Sequence, residues 1–99
     1  MSATINNRNG NRGGLREIPV APLRAAFLRS GMKRTDVARV LGWTDSRGCP
    51  DGQRFARAIG LVATPHGRGY GMQYRQTTSY ERAVELAEAM GYDPVDFGL

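Results

Sequence analysis

"TDVARVLGWTDSRGCPDGQRFARAIGL", residues 35–61, decides the fold. It holds two amphipathic segments joined through Gly42 and a longer irregular loop. The spacing predicts one helix over roughly residues 34–41, with Val37, Ala38 and Leu41 facing inward and Asp36 and Arg39 outward. Gly42 suits the left-handed residue that closes such a helix. A second helix is predicted over roughly residues 51–60, with Asp51 or Cys49 as cap and Pro50 or Gly52 close to its first turn. At about 100° per residue, Gln53, Arg54 and Arg57 fall within one arc of about 100°, and Phe55, Ala56, Ala58 and Ile59 take the opposite one. A short helix anchored by one face thus holds out an amide and two guanidinium groups.

Upstream, "PLRAAFLRSG" predicts a helix from Pro22, with Leu23, Ala26, Phe27 and Ser30 on one side and Gly31 at its end. Only about three residues separate it from the next helix, so the two must be neighbours. Downstream, "LVATPHGRGYGMQYRQT" predicts a β-hairpin, one strand over Leu61–Thr64 and the other over Met72–Thr77, turning at Gly67, Gly69 and Gly71. Tyr70 and Tyr74 fit a half-buried strand there. The last long helix opens with a predicted capping box, Thr78 with Glu81. It places Tyr80, Ala83, Val84, Leu86, Ala87 and Met90 on one face and Glu81, Glu85 and Glu88 on the other, and ends at Gly91. In "DPVDFGL", Asp93 caps a final turn whose Val95, Phe97 and Leu99 are placed to cover the core. The expected fold is mostly α: a small domain of four to five helices with a two-stranded, wing-like β-hairpin before the last long helix. Residues 1–17, rich in Asn, Gly and Arg, are expected to form a flexible basic arm, and residues 18–99 the folded domain.

Ninety-nine residues fit one compact domain with a modest core. The net charge of +5 conceals a division. Residues 1–75 carry thirteen basic against four acidic side chains, 13 − 4 = +9, and residues 76–99 carry one against five, 1 − 5 = −4. Such a split implies a surface for a polyanion and an acidic segment held away from it. No apolar run approaches the roughly 20 residues of a membrane span, and the opening residues lack the apolar core of a secretory signal. A single cysteine, Cys49, excludes an internal disulfide and suits a reducing cytoplasm. With His66 the only histidine, no protein-built zinc site is expected. "GRGYG" lacks the following helix and the Lys-Ser/Thr pair of a phosphate-binding loop, and it reads as a hairpin turn. No nucleophile, acid–base or metal set converges, so no enzymatic activity and no cofactor are expected.

"LRAAFLRSGMKRTDVARVLGW", "DGQRFARAIGL" and "TSYERAVELAEAMGYDP" together resemble the phage-repressor-like, XRE-type helix-turn-helix family over roughly residues 20–97. The shared features are a helix with Ala38 followed four residues later by Gly42, a recognition helix anchored by Phe55 and Ile59, and a closing helix. Two features depart from the family: "GWTDSRGCPD" is several residues longer than the usual turn, and a hairpin precedes the last helix. The resemblance implies operator-like binding of double-stranded DNA in the cytoplasm of a bacterial host, often as a homodimer, by a repressor-like regulator of phage or prophage transcription. Gln53, Arg54 and Arg57 are then the candidates for base edges, and Lys33, Arg34, Ser46, Arg47, Arg68 and Arg75 for phosphates. Trp43 is expected as a cover over the two central helices. An excisionase-like DNA-bending factor, or a protein-interaction module such as an antirepressor, is the alternative reading.

Overall fold

The computed structural model describes residues 16–65 and 71–99. In chain order these form β1 (Glu17–Pro19), α1 (Ala21–Ser30), α2 (Arg34–Leu41), α3 (Gly52–Ala58), β2 (Thr64–Pro65), β3 (Met72–Gln73), β4 (Thr77–Ser79), α4 (Tyr80–Ala89) and a 3-10 turn at Pro94–Phe97. The architecture is a small helical domain with a two-stranded hairpin, β2–β3, ahead of the last long helix.

One core holds it together. Leu23, Ala26 and Phe27 of α1, Val37 and Ala38 of α2, Phe55 and Ile59 around α3, and Ala83, Leu86 and Ala87 of α4 are all buried. The Phe27 and Phe55 rings meet edge to face, 5.0 Å between centroids and 70° between planes, a geometry that adds to the burial of two large rings. The Tyr92 hydroxyl donates to the Ala26 carbonyl at 3.2 Å, tying the chain after α4 to α1.

The order of residues at the end of α2 explains the position of Trp43. Gly42 takes φ 77°, which a side chain would strain. That turn lets Gly42 N–H reach the Arg39 carbonyl at 3.1 Å and Trp43 N–H reach the Ala38 carbonyl at 3.0 Å. The helix's loose carbonyls are thereby satisfied, and the indole is folded back onto the core. The following loop closes on itself. Asp51 N–H donates to the Trp43 carbonyl at 2.9 Å, Asp45 N–H to the Cys49 carbonyl at 2.8 Å, and Thr44 bridges Pro50. Its two ends are thereby bonded together, and α2 and α3 pack against each other. Asp51 then caps α3, its Oδ1 accepting from Arg54 N–H at 3.0 Å.

α2 and α3 approach each other closely at Gly52. A Cβ built there would stand 2.9 Å from Arg34 Cβ and 3.1 Å from the Thr35 nitrogen. The first turns of both helices are therefore side by side. Ala38, further along α2, is fully buried as well.

Several expectations are corrected. The hairpin ladder is shorter than predicted: only Thr64↔Gln73 and Pro65↔Met72 pair, and residues 61–63 take no strand. Beyond Gln73 the chain is drawn to the N-terminal segment instead, where Val20 N–H donates to the Gln76 carbonyl at 3.0 Å. Thr77–Ser79 does form a strand, but its partner is β1, in the register Glu17↔Ser79, Ile18↔Thr78 and Pro19↔Thr77. This N-terminal strand was absent from the sequence reading, and it places Glu17 in the folded domain. Arg16 lies with it, its guanidinium 5.0 Å from the Tyr80 ring. Thr78 is therefore a buried strand residue, and Ser79 caps α4 by accepting from Arg82 N–H at 3.1 Å. α3 is shorter at both ends than the predicted span. Val95 is 70% exposed, whereas Phe97 and Leu99 pack against the core as expected. Tyr74 is exposed beyond the end of β3. Residues 1–15 of the expected arm, and the Gly67, Gly69 and Tyr70 of the expected turn, lie outside the described residues.

Candidate functional site

α3 is seven residues long, and its burial pattern matches its sequence pattern. Phe55, Ala56 and Ile59 are fully buried, and Gln53, Arg54 and Arg57 are exposed. The anchoring face leaves the helix little freedom to roll, so the polar stripe is held outward. At its first turn stand Lys33 and Arg34, both exposed, on the start of α2 beside Gly52. Asp36 Oδ2 accepts from Lys33 N–H at 3.2 Å, which fixes that start.

Toward the other end of α3, a cleft of about 530 Å³ opens between α3, the β2–β3 region and the start of α4. Arg54, Arg57, Arg75 and Arg82 line it, and among the described residues no acidic one does. Thr64, Thr78 and Ser79 add hydroxyl-bearing side chains. Trp43, only 8% exposed, forms part of the wall. The guanidinium of Arg54 sits 4.4 Å from the centre of its ring, and that of Arg82 4.7 Å. Each such contact contributes about 0.5–1 kcal/mol at an exposed site and more where water is excluded. Two guanidinium groups thus share one indole. Arg82 also meets Glu85 through Nε at 3.1 Å, and Arg75 donates from Nη1 to the Thr77 carbonyl at 3.3 Å.

Of the residues expected at base edges, Gln53 stands clear of this cleft, Arg57 lines it, and Arg54 is engaged by Trp43. Of those expected at phosphates, Arg75 joins the cleft, while Lys33 and Arg34 form a separate basic group at the first turn of α3. Ser46 and Arg47 occupy the tip of the closed loop, outside the cleft. There Asp45 accepts from Arg47 N–H at 2.8 Å and Cys49 N–H at 3.1 Å, and pairs with the Arg47 guanidinium at 3.3 Å. The backbone N–H of Arg47, then that of Cys49, holds the Asp45 carboxyl below its ordinary value. Arg68 lies outside the described residues.

The sequence reading missed two participants. Arg82 lies in the acidic segment, and its being the only basic residue among residues 76–99 is the signal the sequence offers for it. Trp43 was expected as a cover, and it is one, but its binding of two guanidinium groups was not foreseen. Among the described residues no group of three or more His, Cys, Asp or Glu is placed to hold a metal ion. No described helix is long and apolar enough to cross a membrane. Comparison with protein-family models, with curated proteins and with solved structures finds no match.

Proposed function

We propose that the protein binds double-stranded DNA sequence-specifically through α3 and acts as a repressor-like regulator of transcription. The observation that carries the reading is a helix fixed in the core by Phe55, Ala56 and Ile59 with Gln53, Arg54 and Arg57 exposed on its other face. A major groove about 12 Å wide admits one such helix. Glutamine pairs with adenine N6 and N7, and arginine with guanine O6 and N7. Gln53 and Arg57 are the base-reading residues in this account, with Arg54 sharing the role where it leaves the Trp43 ring. Lys33 and Arg34 then meet phosphates beside the first turn of α3, and Arg75 meets them beside its last. Ser46 and Arg47 reach the backbone from the loop tip. The charge division favours the same orientation, because the acidic portion would repel the duplex from any other approach.

This reading keeps the phage-repressor-like resemblance as its setting, including a phage or prophage regulatory role and a homodimer. The test is selection from random duplexes by the purified full chain at low salt, followed by sequencing of the survivors. An enriched motif is the expected result, and a palindromic one indicates two-fold symmetry. Survivors indistinguishable from the starting pool would overturn the proposal.

A further inference from the structure

The charge division has one exception, and its position is informative. Among residues 76–99 the five acidic side chains are joined by a single basic one, Arg82. Arg82 lines the cleft that also draws Arg54 and Arg57 from α3 and Arg75 from the segment before β4. Four guanidinium groups from three parts of the chain thus face one space, and among the described residues none that lines it is acidic. Clustering like charges costs energy unless something of opposite sign is meant to join them. Trp43 holds two of the four through its ring, a contact that leaves the edges of a guanidinium free to donate hydrogen bonds. The Glu85 contact uses Nε of Arg82, not its terminal nitrogens.

We propose that this cleft is a seat for a phosphate group, with Arg54, Arg75 and Arg82 as its ligands and Arg57 at its rim. Planar, forked donors match the oxygens of a phosphate, which can accept from two or three guanidinium groups together. Thr64, in the same lining, already gives its hydroxyl proton to the Gln73 carbonyl at 3.4 Å, so the arginines carry the recognition. At about 530 Å³ the cleft is roomier than a bare phosphate needs, so the group arrives on a larger ester. Two sources share that chemistry: a phosphodiester of duplex DNA lying along α3, or a free phosphate ester. The seat does not rest on the DNA-binding reading, because a free anion probes the one and a duplex the other.

Trp43 is the only tryptophan in the chain, and it forms the wall of the seat. Its fluorescence therefore reports on the seat directly. The full chain is titrated with pyrophosphate at constant ionic strength, alongside Arg82→Gln and Arg75→Gln, with Arg39→Gln on the exposed surface of α2 as control. The expected result is a saturable change in Trp43 emission whose midpoint rises about tenfold in Arg82→Gln and Arg75→Gln and is unmoved in Arg39→Gln. Circular dichroism confirms that each variant is folded; if Arg82→Gln is not, Arg75→Gln, an exposed residue whose side chain donates to the Thr77 carbonyl, decides the matter. No saturable change in the wild type, or equal midpoints in folded variants, overturns the seat. A duplex that displaces pyrophosphate assigns the seat to the DNA backbone. A duplex that does not displace it, or does not bind, assigns the seat to a free ester, and the second of these removes the DNA reading while the seat stands.

Discussion

Trp43 stands between two grooves of opposite character. On one side Arg54, Arg57, Arg75 and Arg82 line the larger cleft, and on the other Val40, Leu41, Glu85, Glu88 and Ala89 line a smaller one of about 310 Å³. Both are built against the same core, and both use the same ring as wall. α2 spans the difference: its first residue, Arg34, touches α3 at Gly52, and its last two line the acidic groove. Eight residues of helix, about 12 Å, thus separate a basic end from an acidic one. The lesson is that the net charge of +5 describes neither surface. The segregation of charge describes both.

The comparison breaks most completely if the shared core is opened. Phe55→Ala removes a fully buried ring that meets Phe27, and should cost about 3–5 kcal/mol, read as a lower denaturant midpoint. α3 and the basic cleft would be lost together. Gly52→Ala is the next strongest, at about 1–3 kcal/mol, because the added methyl meets Arg34 Cβ and backbone of α2 rather than the far end of a flexible side chain. It should also displace Gln53 relative to Lys33 and Arg34, so duplex affinity should fall by more than the loss of stability explains.

Charge variants sharpen the contrast without dismantling the fold. If about six phosphates are contacted, log affinity for a duplex should fall with log salt at a slope near −5. Arg57→Ala should cost about 1–3 kcal/mol on a preferred site and relax preference at one base pair; equal weakening on every sequence would make it a phosphate contact. Neutralising Glu81, Glu85 and Glu88 to Gln should leave sequence preference intact and raise duplex affinity modestly at low salt, an effect that vanishes as salt screens it. Opening the Asp45 loop is the smallest effect. Its depressed carboxyl supports the folded loop above the ordinary value of 3.8, and that support is lost as pH falls through the lower native value. Asp45→Asn should abolish that acid-dependent step, seen as a change in amide exchange at Arg47 and Cys49.

Much of this was legible in the sequence, for identifiable reasons. α2 is predicted over its observed span because a three-residue apolar set and a closing Gly bound it on both sides. The sorting of α3 into Phe55, Ala56 and Ile59 against Gln53, Arg54 and Arg57 follows from helical period alone. What escaped was long-range. β1 has three residues, too few to show an alternating pattern, and forms only because β4 lies beside it sixty residues later. Once Thr78 is drawn into that pairing it cannot cap α4, so the cap passes to Ser79. The hairpin does not extend beyond Thr64↔Gln73 because the chain after β3 turns to β1, with Val20 N–H on the Gln76 carbonyl and Thr77–Ser79 paired to Glu17–Pro19. Arg82 was hidden for a related reason: its neighbours in sequence are acidic, and only the fold brings it to Trp43 and the other arginines.

The central claim is that the outward stripe of α3 is the surface that meets DNA. Backbone amide resonances of isotope-labelled full chain, followed while a selected duplex is added, test it most directly. The account predicts the largest shifts at residues 52–58 and at Lys33 and Arg34, with the amides of Glu85 and Glu88 nearly still. Shifts centred on the acidic groove, with residues 52–58 unmoved at saturation, would contradict it.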